Sequence, residues 1–119
     1  MSRTRILLTT AALIAGAISL APMSQTASAQ CTNADLCSTE TCNTLQKQVH
    51  PSCDQDRSCR KIKATNKNEL IRRLLINQSC LLARQEVAKC FSISDRGHRE
   101  AIQSVENAID TCRDKLDQN

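Results

Sequence analysis

The chain has 119 residues, 16 Lys+Arg against 12 Asp+Glu, a formal net charge of +4, eight cysteines and a single aromatic residue, Phe91. A positive surplus this small is no electrostatic footprint for nucleic acid, and one phenylalanine offers no base-stacking platform. The length is that of one domain.

The N-terminal segment reads as an export signal. Arg3 and Arg5 form a positive start, Ile6 to Leu20 is an apolar run, and Ala27-Ser28-Ala29 is a small-x-small cleavage site. Residues 1–29 are therefore expected to be removed, leaving a mature domain of residues 30–119. A retained membrane anchor is the rival reading, but the run is short for a bilayer. Lipidation at Cys31 would want a small residue before it, and Gln30 stands there. The next apolar stretch, Leu70 to Leu82, is broken by Arg72, Arg73, Asn77 and Gln78. No stable membrane association is expected after cleavage. Without Arg3 and Arg5 the balance is fourteen basic against twelve acidic residues, or +2.

All the cysteines, Cys31, Cys37, Cys42, Cys53, Cys59, Cys80, Cys90 and Cys112, follow the signal. A domain this small is marginal on apolar burial alone, and exported proteins of its size add disulfides worth roughly 2–4 kcal/mol each. Zinc is the rival. There is no C-x-x-C and no H-x-x-x-H, so four disulfides are the expectation, with no metal and no cofactor.

Gln30 to Ser38 is aperiodic and reads as a cysteine-anchored arm. Thr39 suits an N-cap for a short helix over 40–49, which Pro51 should end. Residues 52–63 can hold a second short helix carrying Cys53 and Cys59, and 64–68 read as a linker. Asn66 followed by Glu69 resembles a capping box opening a long helix that runs to Phe91 without Gly or Pro. Residues 92–97 connect, with Asp95 as the next N-cap. The last helix, 96–116, has the clearest pattern: Ile102, Val105, Ile109, Cys112 and Leu116 recur in alternating three- and four-residue steps. The fold class is all-α, a small disulfide-stapled domain built on a long antiparallel helical hairpin with one or two short N-terminal helices.

A hairpin pivoting near residue 96 puts Cys80 level with Cys112, which makes them the expected pair. Cys90 is about fourteen residues, roughly 20 Å, out of register with Cys112. It should instead bond the N-terminal half.

Three groups of polar residues could carry chemistry. On the long helix, Arg73, Asn77 and Arg84 fall inside the apolar arc of Leu70, Leu74, Cys80, Leu81, Val87 and Phe91. Unpaired guanidinium is costly to bury, so these residues either make structural ion pairs or line an anion site. A second apolar set, Ile71, Leu75 and Leu82, suggests that this helix is covered on another face too. In the run Asp95-Arg96-Gly97-His98-Arg99, His98 continues the inner stripe of the last helix and is a candidate acid or base. Gly97 in a first helical turn suggests a close backbone approach. His50, Asp54 and Arg57 form the third group. With the cysteines oxidised, a cysteine nucleophile is not expected.

The residues Glu69-Leu70-Ile71-Arg72-Arg73-Leu74, Asn77, Cys80, Ala83-Arg84, Val87, Cys90-Phe91, Asp95, Gly97-His98, Ala101, Ala108-Ile109 and Cys112 resemble the cysteine-rich novel toxin 16 domain, found at the C-terminus of bacterial polymorphic-toxin and PAAR-like secretion proteins. Leu45, Val49, Cys53-Asp54 and Arg57-Ser58-Cys59 fit its first half more loosely. The resemblance implies an all-helical, secreted or periplasmic toxin-like domain, with Arg73, Asn77, Arg84, Asp95 and His98 as its matched polar positions. Metal-independent acid/base chemistry on RNA or DNA would use His98 with the arginines, and a cognate immunity protein would be a partner. The competing expectation is a non-enzymatic periplasmic or secreted structural or binding module. A third is an inhibitor-like partner of another protein. A monomer is expected in each case, and whether the domain is an enzyme stays open at this point.

Overall fold

The computed structural model describes residues 31–93 and 95–118. The expected signal segment, 1–29, lies outside them. Three helices and no strand occur among the described residues: α1 (Thr39–Cys53), α2 (Lys67–Ala88) and α3 (Arg96–Asp117). The protein is all-α, as its periodicity predicts. None of these helices is long and apolar enough to cross a membrane.

Each helix start has a local cause. The side chains of Ser38, Asn66 and Asp95 accept hydrogen bonds from the backbone N–H of Thr41, Glu69 and His98, satisfying donors that a first turn leaves open. Asn66 and Asp95 are the predicted caps, whereas α1 is capped by Ser38, one residue earlier than predicted. Glu69 does not complete a capping box: its carboxylate turns to Arg72 and Arg73.

Pro51 does not end α1. The helix runs on to Cys53 and closes with Asp54 N–H donating to His50 O at 2.9 Å. Cys53 is buried and bonded to Cys80, so packing holds a turn that the proline locally opposes. The second short helix expected over 52–63 is absent. Ser52 and Cys53 close α1, and residues 54–63 are a loop laid along the hairpin.

α2 and α3 form the antiparallel hairpin. Lys67 Nζ, at the start of α2, donates to Leu116 O at 2.6 Å and Gln118 O at 2.8 Å at the end of α3. Pairing residue 67 with 116 puts the pivot near residue 92. Cys80 and Cys112 are then about eight residues out of register, roughly 12 Å, beyond disulfide reach. This overturns the Cys80–Cys112 expectation. The observed pairs are Cys31–Cys42, Cys37–Cys90, Cys53–Cys80 and Cys59–Cys112, and no described cysteine is free. The expected clamp from Cys90 to the N-terminal half is present as Cys37–Cys90. The hairpin itself has no direct covalent lock. Three of the four bridges tie it to the arm, α1 and the following loop.

The N-terminal half follows the hairpin from its turn to its open end. In the arm, Asp35 and Leu36 donate backbone N–H bonds to Cys90 O at 3.1 and 3.0 Å. α1 then crosses α2, and Cys59 reaches α3 at Cys112. At the open end, Lys115 Nζ holds the loop through Ile62 O at 2.7 Å. The buried apolar residues are Val49, Leu70, Val87, Val105, Ile109 and seven half-cystines. Disulfide sulfur thus makes up much of the core as well as bracing it. Of the inner stripe of α3, Val105, Ile109 and Cys112 are buried.

Ile71, Leu75 and Leu82 are 46%, 58% and 62% exposed, so the face expected to be covered is open to solvent. α1 and α3 both pack against the other side of α2.

Candidate functional site

The structure separates the five polar positions singled out in the sequence. Arg73 is fully engaged. Its Nε donates to Glu69 Oε1 at 2.6 Å, Nη1 and Nη2 grip both oxygens of Asp56 at 2.7 and 2.8 Å, and Nη1 also reaches Ser58 O at 2.7 Å. These bonds pin the α1–α2 loop to the hairpin. Arg72, then Arg73, donating to Glu69 hold its carboxyl down at about 2.

Asn77 is fully buried and satisfied. Its Oδ1 accepts from Arg57 Nη1 at 2.8 Å, and Nδ2 donates to Arg57 O at 2.8 Å and Arg73 O at 3.0 Å. Asp95 caps α3, accepting His98 N–H at 2.8 Å, and that bond is the main reason its carboxyl is lowered. All three residues have structural work that accounts for them.

Arg84 and His98 differ. Arg84 Nε and both ring nitrogens of His98 are buried without a hydrogen-bond partner. His98 Nδ1 lies 3.0 Å from Asp95 Oδ1. That is an ion-pair distance, and the contact contributes to lowering the Asp95 carboxyl. The ring tilts by 40° against Phe91 with centroids 4.7 Å apart. Burial pushes the Arg84 guanidinium below the ordinary arginine range, the nearby Arg57 cation adds to this, and Asp54 opposes it. The side chain remains a cation at neutral pH.

The two residues meet at one cavity of about 130 Å³, where α1, α2 and α3 converge. Gln46, Arg84 and His98 supply its polar lining, and Val49, Val87, Gly97 and Ala101 supply the rest. Gln46 was not singled out from sequence, because the side of α1 that turns inward depends on where the arm and Cys53 dock. Gly97 needs no special backbone: its φ is not positive, and a Cβ there would meet Asp95 Oδ1 at an ordinary 3.5 Å.

A second hollow, an open groove of about 680 Å³, lies between the 54–60 loop and the outer side of α3, with Arg57, Arg60 and Glu100 on its walls. His50 and Asp54 form only an exposed i,i+4 pair at 2.9 Å. No cluster of three metal-ligating side chains occurs among the described residues.

Compared with known proteins, the chain matches no family model, no curated protein and no solved structure.

Proposed function

We propose that the chain is an exported, disulfide-stapled helical protein that binds a partner or ligand without transforming it, using the Arg84–His98 cavity as its recognition point. One observation carries this reading: Arg73, Asn77 and Asp95 are consumed by the scaffold, leaving Arg84 Nε and His98 Nε2 as buried nitrogens without a partner. Metal-independent phosphodiester cleavage needs an acid and a base beside a stabilising cation. Among the described residues, one titratable ring faces the cavity. Four disulfides fit an oxidising, non-cytoplasmic compartment, and the reading adds export by the 1–29 segment.

The toxin-like phosphodiesterase is the second reading, favoured by the approach of Asp95 to His98 Nδ1. One experiment separates the two. Oxidised protein recovered from the periplasm is incubated with RNA and with DNA beside His98→Ala. The binding reading expects no cleavage by either. Cleavage by the parent that is lost in the variant establishes the toxin-like reading instead.

A further inference from the structure

The Arg84–His98 cavity holds buried nitrogens that the protein does not satisfy: Nε of the half-buried Arg84 side chain and Nε2 of His98. A buried donor without a partner costs the desolvation it never recovers, and the cost is higher when the donor is cationic. Three helices built around such a pair make sense when a ligand completes it. The volume, about 130 Å³, is well below the roughly 300 Å³ of the smallest ordinary small-molecule pockets. The cavity therefore takes one compact group.

The charge of that group follows from its neighbours. Arg84 is a cation, and Arg57 is near enough to oppose it electrostatically. Asp54 offsets part of this from outside the cavity lining, and Asp95 stands beside His98. The Asp95 carboxylate next to Nδ1 favours the proton on that nitrogen, which leaves Nε2 as an acceptor. The site then offers Arg84 and the Gln46 amide as donors and a ring nitrogen that accepts. A carboxylate or a sulfate at neutral pH brings acceptors only. Inorganic phosphate near neutral pH, as the monohydrogen dianion, brings anionic oxygens for Arg84 and a P–OH for Nε2, whereas a phosphate monoester, with a second pKa of about 6, has lost its P–OH and brings acceptors only.

We propose that this cavity is a binding site for one inorganic phosphate ion. This rests on the non-catalytic reading above and names its ligand class.

The oxidised protein, labelled with ¹⁵N, is titrated at pH 7.5 and constant ionic strength with inorganic phosphate, O-phosphoserine, sulfate and acetate. Saturable shifts are expected at the Gln46 side-chain amide and the Gly97–Ala101 backbone. Inorganic phosphate should bind at least about tenfold more tightly than phosphoserine, sulfate or acetate. Tighter binding of phosphoserine than of inorganic phosphate would overturn the role given to the P–OH, and with it the proposal. Arg84→Gln should weaken phosphate binding by about tenfold or more. Arg84→Met should abolish binding without lowering the thermal midpoint in phosphate-free buffer, because the half-buried guanidinium has no partner within the protein to lose.

No saturable shift, or equal affinity for phosphate and sulfate, overturns the proposal. A lowered midpoint for Arg84→Met does so too, since Arg84 would then be a structural residue. Nuclease activity would remove the non-catalytic reading while leaving a phosphate site standing, so the two failures are distinguishable.

Discussion

Asn77 is the polar centre that joins the α1–α2 loop to the hairpin, and its removal has a calculable consequence. Asn77→Ala deletes three hydrogen bonds, one accepted from Arg57 Nη1 and two donated to Arg57 O and Arg73 O. Each is worth about 1 kcal/mol net. Arg57 Nη1 is partly exposed and can turn to water, and Arg73 O keeps its helical partner, so the penalty for orphaned groups is small. The expected loss is about 2–4 kcal/mol, a large fraction of the roughly 5–15 kcal/mol that holds a typical domain. Urea denaturation under non-reducing conditions, followed by circular dichroism, measures it as a lower midpoint at unchanged slope. Asn77→Asp is the sharper variant, because it places a carboxylate oxygen against two backbone carbonyls. It should destabilise at neutral pH at least as much as alanine does. A loss below about 1 kcal/mol for alanine, or a tolerated aspartate, would refute the network as the link between loop and hairpin.

The pairing of cysteines gives a second expectation. Chain entropy assigns about 4 kcal/mol to Cys59–Cys112, which closes a separation of 53 residues, and about 3 kcal/mol to Cys31–Cys42, which closes 11. Paired serine substitution at the first site should lower the melting temperature further than at the second, and peptide mapping without reductant should recover both cross-links. Acid stability should depend on Glu69. Its folded pKa lies at about 2 against an ordinary 4.5, so its contribution is complete above pH 4.5 and is lost as pH falls toward 2. Glu69→Gln should flatten that part of the stability-versus-pH curve, and an unchanged slope would sink the assignment. Asp95→Ala should cost about 1 kcal/mol through the lost cap of α3. Amide exchange would show this first at Arg96–Arg99.

Much of the local architecture was legible along the chain. The stripe of α3 and the caps Asn66 and Asp95 follow from short-range rules, and the link from Cys90 to the N-terminal half follows from its distance to Cys112 along a hairpin. Pro51 was misleading, since a proline's cost is local and the burial of Cys53 beside Cys80 outweighs it. The site was half legible. A polar residue inside an apolar arc signals that something must satisfy it, and Arg73, Asn77, Arg84 and His98 all gave that signal. What satisfies each one is a matter of neighbours brought from other elements. Asp56 and Ser58 complete Arg73, and Arg57 completes Asn77. Arg84 and His98 are left facing Gln46 across a cavity.

By itself, the sequence determined that this is a small helical domain needing cross-links, because periodicity, capping and cysteine content act over a few residues and do not depend on docking. Only the tertiary structure decided which cysteines join. Moving the pivot of the hairpin by about four residues shifts the facing register by about eight, roughly 12 Å, which changes every cross-helix pair. The same geometry decided which of five similar polar residues remain unpartnered. A side chain's chemistry is written in the chain, but whether it is satisfied depends on what the fold sets opposite it.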